Sequence, residues 1–464
     1  MPFDRRSFLK ATAGAALAAP ALQGATAQKG EVDVVIVGAG AAGIAAARRV
    51  AAAGRRHALI EAGNRAGGRC VTDARFFGVP FDRGAHWVHM PDSNPVARLA
   101  TSAGISLYGA PPGQKVRIGR RNAREGEMET YLATQVRAHR AIDDAARRAD
   151  MSCAQALPKD LGDWQKTIEF FFGPLSCGKD LGEVSALDFS RQQPRDLDAF
   201  CRAGYGTLLA KLAEGVQPQL ATPATRIAWG ARSGVDVDTP RGTISGRTAI
   251  VTVSTNVLTS GGIRFSPDLP RRHLDAAARL SLGSYDHIAL ELPGNPLGLQ
   301  RDDLVIEKSD GPRTAALLAN ISGTTLCTVD VAGRFGRDLA AQGEKAMVGF
   351  ALDWLEGLYG SSIRSAVKRT AATRWNDDAL TRGAFSAAAP GGQSARRVLM
   401  EALNGRVWLA GEAAHETLWG TVEGAWESGE RAATEALKSI GALKEERPKP
   451  VSQPEPKHRR QPRR

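Results

Sequence analysis

Six consecutive positions, Gly38-Ala39-Gly40-Ala41-Ala42-Gly43, hold only glycine and alanine, and Glu61 follows 18 residues after Gly43. Residues of these types at this spacing suit one task, the binding of a dinucleotide. Gly38 permits a tight turn, Gly40 lets the backbone approach a pyrophosphate, and Gly43 allows close packing of helix on strand. Gly38, Gly40, Ala42 and Gly43 are therefore candidate nucleotide-binding positions. Glu61 supplies a carboxylate that can accept hydrogen bonds from a ribose hydroxyl pair. Close behind it stand Arg65, Gly67, Gly68 and Arg69. The paired glycines let the chain fold over phosphates, and the two guanidiniums offer them cationic partners.

Such a loop has this meaning only between a strand and a helix. Val32 and the run Val34 to Val37 read as a buried parallel strand leading into the loop, an alanine-rich helix runs on to about Ala53, and Gly54 ends it. His57 to Ile60 then forms a second strand that closes on Glu61, which completes a β-α-β unit. A helix beginning at the loop aims its unpaired N–H groups at the phosphates.

At 464 residues the chain suits two or three domains with a large buried core. The formal charge is +12, but residues 1–27 carry +2 of it and residues 438–464 carry +6, which leaves a modest +4 for the remainder. No basic stripe interleaved with aromatics is present, so nucleic acid is not expected as a partner. Residues 441–464, rich in Pro, Lys and Arg, read as a disordered solvated tail. The five cysteines, Cys70, Cys153, Cys177, Cys201 and Cys327, form no CxxC pair, so no metal site is expected and isolated core thiols are. At the other end, Asp4-Arg5-Arg6-Ser7-Phe8-Leu9-Lys10 precedes an apolar stretch from Ala11 to Leu22 and an Ala25-Thr26-Ala27 cleavage site. That stretch is too short to span a bilayer. The segment 1–27 resembles a bacterial twin-arginine signal, which implies the export machinery as a partner and a periplasmic or secreted protein.

The fingerprint loop, the acidic strand end and the Gly-Gly-Arg triplet together resemble the flavin-containing amine oxidase superfamily, in which the dinucleotide is FAD. The stretch Asp82-Arg83-Gly84-Ala85-His86-Trp87-Val88-His89, followed by Asn94-Pro95, sharpens the likeness to its polyamine oxidase branch. The resemblance implies that Gly84, Ala85 and Trp87 line the flavin and that His86 faces a substrate channel. It places the strand at Arg226-Ile227 against the adenine through its backbone. Leu282 to Leu290 aligns with a family segment in which a lysine reaches flavin N5 through a bridging water, and here that position is His287. Histidine can hold the same water, or electrons can pass to an acceptor other than oxygen. Trp375 and Phe385 fall in the stretch that brings an aromatic wall against the ring. Ala384 stands where monoamine oxidases carry a flavin-linked cysteine, which implies noncovalent FAD. Gly411 and Glu412 end a strand, with Glu412 expected to accept from the ribityl or phosphate end. Thr421 and Val422 open a helix whose N-terminus would face the flavin N1–C2=O edge.

The fold expected from these motifs is α/β: a Rossmann-like, GR2-type FAD-binding domain from residues 28–100, 205–262 and 395–440, with a second, α+β substrate domain. Residues 101–204 are expected to supply its helical part and residues 263–394 its sheet. The function implied is oxidation of a C–N bond in a primary or secondary amine, a polyamine among them. The imine product is hydrolysed to a carbonyl compound, and oxygen is reduced to hydrogen peroxide. His287, His86 and Phe385 are the candidate catalytic residues. The same fingerprints also serve desaturases and protoporphyrinogen oxidases, which act on large apolar substrates, and a noncatalytic FAD-bound scaffold is the third reading. Neither a metal nor a stable membrane span is expected.

Overall fold

The computed structural model describes residues 32–230 and 234–443. The twin-arginine segment and the basic tail from residue 444 lie outside them. Strand β1 (Val32–Val37) runs parallel between two neighbours, β2 (His57–Ile60) on one side and the long strand Gly242–Val251 on the other. Its four residues Val34 to Val37 are almost fully buried, as a central parallel strand covered on both faces requires. The sheet has seven strands. It continues through Val235–Thr239 and Arg226–Ala228 to an edge at Arg264–Ser266, and Val407–Leu409 adds in parallel to Gly242–Val251.

Helix α1 (Ala41–Ala52) covers one face of that sheet beside the last helix, Val422–Ser439. Alanine and glycine let the two backbones meet: a Cβ on Gly429 would fall 2.0 Å from the carbonyl oxygen of Ala42. The opposite face is covered by helices Arg271–Arg279 and Ala395–Met400, whose Ala276, Ala277 and Leu399 join Val35, Val237 and Leu409 in one core.

The second sheet also has seven strands, ordered Thr370–Ala372, Tyr285–Glu291, Leu326–Ala332, Ala316–Ala319, Asp303–Glu307, Lys115–Ile118 and Arg121–Asn122. Successive side chains point to opposite faces. Thus Val305 and Leu317 pack on helix Glu344–Tyr359, whereas Ile306 and Ala316 pack under the helical segment that begins with Glu125–Ala146. A small sheet of Trp87–His89, Asp198–Cys201 and Leu107–Gly109 lies apart from both.

Two placements differ from the sequence reading. Residues 101–204 are not purely helical, because Lys115–Ile118 pairs in parallel with Asp303–Glu307 and so extends the second sheet. Residues 264–279 belong with the nucleotide sheet, since Arg264–Ser266 pairs with Arg226–Ala228 and the helix after it packs in that core. The residues described form one compact unit containing both sheets. Among them no helix is long and apolar enough to cross a membrane.

Candidate active site

A single cavity of about 1430 Å³ runs from the fingerprint loop to the second sheet. Drug-sized ligands fill roughly 300–1,000 Å³, so a dinucleotide and a second small molecule can share this volume. At the fingerprint end the backbone shapes the wall. Gly38 has φ +100°, and its missing Cβ leaves room for the Thr252 hydroxyl, which would otherwise lie 2.5 Å away. Gly43 lies behind the loop, with its Cβ position only 1.8 Å from the carbonyl oxygen of Gly38. Gly40 is different, because its nearest neighbour would be Gly68 Cα at 3.8 Å. Gly411, at φ +138°, would meet nothing within 4 Å. Both open positions line the cavity, a cradle that side chains would fill and a phosphate backbone can occupy.

Glu61 is fixed by two backbone donors, Ala39 N–H to Oε2 and Gly63 N–H to Oε1, each at 2.8 Å. Each oxygen keeps a second lone pair for a ribose hydroxyl. Arg65 donates from Nη1 to the carbonyl oxygen of Gly68 at 2.8 Å and makes no ion pair among the described residues, so it remains available to phosphate. These features fit FAD.

Farther along, Arg69 uses Nη1 to join the carbonyl oxygen of Ala384 at 2.6 Å and Glu412 Oε1 at 3.0 Å. It therefore ties the first segment to the last. Glu412 also accepts from Ser386 N–H and Oγ–H and from Gly420 N–H, so its lone pairs are filled. Burial favours its neutral form, but Arg69 and Ser386 outweigh that and hold the carboxyl below its ordinary value. The expected contact of Glu412 with ribityl or phosphate is thus corrected, since this side chain organises the wall from within. Its neighbour Thr421 caps the last helix, accepting from Gly424 N–H at 2.9 Å, and Gly420, Thr421 and Val422 all line the cavity. The free N–H groups of an 18-residue helix end there, with the positive end of its dipole.

The aromatic wall comes from several segments. Trp375 donates its indole N–H to the carbonyl oxygen of Arg83 at 2.8 Å and presses its ring edge where a Gly84 Cβ would stand. Phe385 sits between Gly178 and Gly420, 5.9 Å from the Tyr285 ring. Ala85, His86 and Trp87 line the same space. Among the described residues all five cysteines are buried free thiols.

His86 hydrogen bonds through Nδ1 to Asp82 Oδ2 at 2.8 Å and stacks on Phe200 at 4.6 Å. Asp82 also accepts from Thr72 Oγ–H and Tyr205 N–H, so it acts as acceptor and the proton of His86 sits on Nδ1. Nε2 is buried and without a hydrogen-bond partner among the described residues. His89 also lines the cavity; it binds Asp198 at 2.6 Å and is held below its ordinary pKa by burial.

His287 does not hold a water in the manner foreseen. Both ring nitrogens are occupied, Nδ1 by Asp330 Oδ1 at 2.7 Å and Nε2 by the carbonyl oxygen of Gly84 at 3.0 Å. Burial opposes its charge, yet Asp330 and the Gly84 carbonyl raise its pKa to about 9.

Gly43, behind the loop, does not line the cavity, and neither does the buried Ile227. Its strand is paired on both edges, with Val235–Thr239 and Arg264–Ser266, so no backbone group is left for adenine. Thr222, Pro223 and Ala224, just before it, line the cavity instead. Asp330 escaped the sequence reading because it lies 43 residues from His287, whereas Asp82 and Tyr285 stand close to His86 and His287 in sequence but carry no motif of their own.

The family model for flavin containing amine oxidoreductase matches residues 41–437. Lysine-specific histone demethylase 2 of Homo sapiens is 28% identical over 439 residues, covering 87% of this chain and 53% of that protein. Polyamine oxidase 4 of Oryza sativa subsp. japonica is 25% identical over 439 residues, covering 88% of this chain and 89% of its own. The chain thus spans about half the length of the first curated relatives it matches. Among solved structures, putrescine oxidase bound to putrescine superimposes with a TM-score of 0.76 at 20% identity, over 88% of this chain and 99% of the other. Cyclohexylamine oxidase from Brevibacterium oxydans gives 0.75 at 20% identity, over 89% and 100%. At such identity these two likenesses speak for the fold, an α/β FAD-binding architecture. With the fingerprint loop, the open glycines and the aromatic wall gathered around one cavity, and the family match spanning nearly all of the described chain, this protein belongs to the flavin-containing amine oxidoreductases.

Proposed function

We propose that the protein is an FAD-dependent amine oxidase that converts a primary or secondary amine to an imine. Water hydrolyses the imine to a carbonyl product, and oxygen is reduced to hydrogen peroxide. The observation that carries the reading is the continuity of one cavity from the dinucleotide cradle to a wall of His86, Trp87, Tyr285 and Phe385. FAD, when bound, supplies the two-electron oxidation by taking a hydride from the amine's α-carbon. The protein has the remaining tasks. Its aromatic wall desolvates the basic nitrogen and so favours the neutral amine that can react. His86 Nε2, buried and without a partner among the described residues, is a polar atom free to meet the amine nitrogen. The N-terminus of helix Val422–Ser439 presents donors and a positive dipole end where negative charge develops. Ala384 in the lining, with no cysteine beside Phe385, supports noncovalent FAD.

Anaerobic mixing with a panel of amines, polyamines included, tests this by absorbance of the bound FAD. Bleaching by at least one amine and peroxide on readmitting air are expected. Bleaching by polyenes or porphyrinogens and by no amine would move the reading to C–C oxidation. For residues 1–27 we propose twin-arginine export to the periplasm. Replacing Arg5 and Arg6 together by lysine should then retain FAD-loaded protein in the cytoplasm, and unchanged export would refute it.

A further inference from the structure

His287 and Asp330 stand directly opposite each other on antiparallel strands Tyr285–Glu291 and Leu326–Ala332, and Tyr285 lies two residues earlier on the same face. The Tyr285 hydroxyl donates to Asp330 Oδ2 at 2.9 Å, and Asp330 Oδ1 faces His287 Nδ1 at 2.7 Å. On its far side the ring meets the carbonyl oxygen of Gly84 at 3.0 Å. A carboxylate and a carbonyl are both acceptors. The two contacts are hydrogen bonds together only when both ring nitrogens carry protons, which makes the imidazole a cation. All three side chains, and Gly84 itself, line the cavity.

We propose that Asp330, oriented by Tyr285, is a positioning residue that keeps His287 cationic and aims its Nε2–H at Gly84, so that one fixed charge and one fixed loop face the flavin together. A buried charge without a partner is costly, and removal of the carboxylate would release the proton. Burial and Asp330 both raise the Tyr285 pKa, so its hydroxyl stays a donor. The remaining groups around the ring are few. Asp286 points to the other face of the strand, where Oδ1 accepts from Thr373 Oγ–H and Trp375 N–H, and burial raises its pKa to about 6. Gly84 contributes only its carbonyl. A transition near pH 9 therefore belongs to His287, and one near 6 to Asp286.

The proposal rests on the amine oxidase reading only for what the charge acts upon, and its test is independent of turnover. The chain has eight histidines, so ¹⁵N labelling of histidine in FAD-loaded protein, assigned with His287→Gln, reads the ring directly. The wild-type signal is expected to titrate near 9. In Asp330→Asn it should move down by about two pH units, toward an ordinary histidine, and in Tyr285→Phe by less. The reduction potential of bound FAD should turn downward at the same pH as the ring in each protein. A ring that titrates unchanged in Asp330→Asn overturns the role of Asp330. A ring that shifts while the potential does not overturns the link to the flavin. Should Asp330→Asn fail to fold, Asp330→Glu and Tyr285→Phe decide the matter: the former is expected to return the transition to near 9, and identical titration of all three proteins overturns the proposal. Loss of amine turnover with both shifts intact would fault the proposed reaction and leave this inference standing.

Discussion

The cradle for the nucleotide and the wall that faces it across the cavity are built by opposite means. In the cradle the backbone acts and side chains are withheld: Gly38, Gly40, Gly43 and Gly68 fall within 31 residues, and what matters at each is a missing Cβ. In the wall, side chains from distant segments act through one another, as Tyr285, Asp330, His287 and the Gly84 carbonyl do. A cradle of the first kind is encoded locally and tolerates change around it. A wall of the second kind depends on the fold that assembles it.

The seam between them should be the most sensitive place. Arg396 and Asp188, both 0% exposed, form a two-pronged ion pair at 2.7 Å. Arg396 also donates to Ser386 Oγ and to the carbonyl oxygen of Ala413, and stacks on Trp419. Arg396→Met leaves the Asp188 carboxylate buried without a counter-charge, with the Ala388 N–H as its remaining donor, at a cost of about 3–5 kcal/mol. Urea unfolding should show this as one transition moved to lower denaturant. Two separated transitions would mean that cradle and wall are independent and the comparison is wrong.

Gly84→Ala comes next, because here the wall borrows the device of the cradle. A Cβ would fall 2.0 Å from the carbonyl oxygen of Arg69 and 2.9 Å from the Trp375 ring, displacing the loop that His287 holds. A stability loss of about 1–3 kcal/mol is expected from overpacking, together with loss of bound FAD, read as absorbance per protein. Full FAD content would show that the loop can yield without cost to the site.

The wall should also announce itself in pH dependence. Asp286 is raised from 3.8 to about 6 and His287 from 6.5 to about 9. Both are raised, so each contributes stability that is full below its unfolded value and is lost as pH rises through its folded value. Asp286 acts between 3.8 and 6, His287 between 6.5 and 9. Each step is at most roughly 3 kcal/mol. Glu423, raised to about 7, and Lys179, lowered to about 8, also titrate between pH 4 and 10, so the check is the difference in urea midpoint between wild type and His287→Gln, which should fall through the upper window. A difference that rises through the upper window would contradict the cation at His287.

The same contrast explains what could be read in the amino-acid sequence. Gly38 to Glu61 was legible because a strand, a tight turn and a helix N-terminus impose residue types at short, fixed spacing. The aromatic positions Trp87, Trp375 and Phe385 were legible through family resemblance, and they do line the cavity. Ile227 was misplaced because a backbone contact leaves no mark on side-chain identity, and the edges of its strand proved to be taken. Glu412 was correctly put beside the cavity but given the wrong partner, since nothing near it in sequence foretells that Arg69 and Ser386 will fill its lone pairs. Arg396 looks like an ordinary surface arginine in a short helix. Only the fold brings Asp188 to it.

The smallest effect on stability should separate the two architectures most cleanly. Gly43→Ala and Gly40→Ala are the same change three residues apart, yet the added Cβ falls 1.8 Å from the Gly38 carbonyl oxygen in one and 3.8 Å from its nearest neighbour in the other. Gly40 has φ −77°, which alanine adopts without strain. At Gly43 the clash exists whether or not FAD is bound, so the protein itself is destabilised. At Gly40 only an incoming phosphate meets the methyl group, so apoprotein stability should change by less than about 0.5 kcal/mol. FAD affinity should nevertheless fall at least about tenfold, or 1.4 kcal/mol, in a titration followed by flavin fluorescence. Equal destabilisation of both apoproteins would mean that the space beside Gly40 serves packing, and the cradle would lose the feature that sets it apart from the wall.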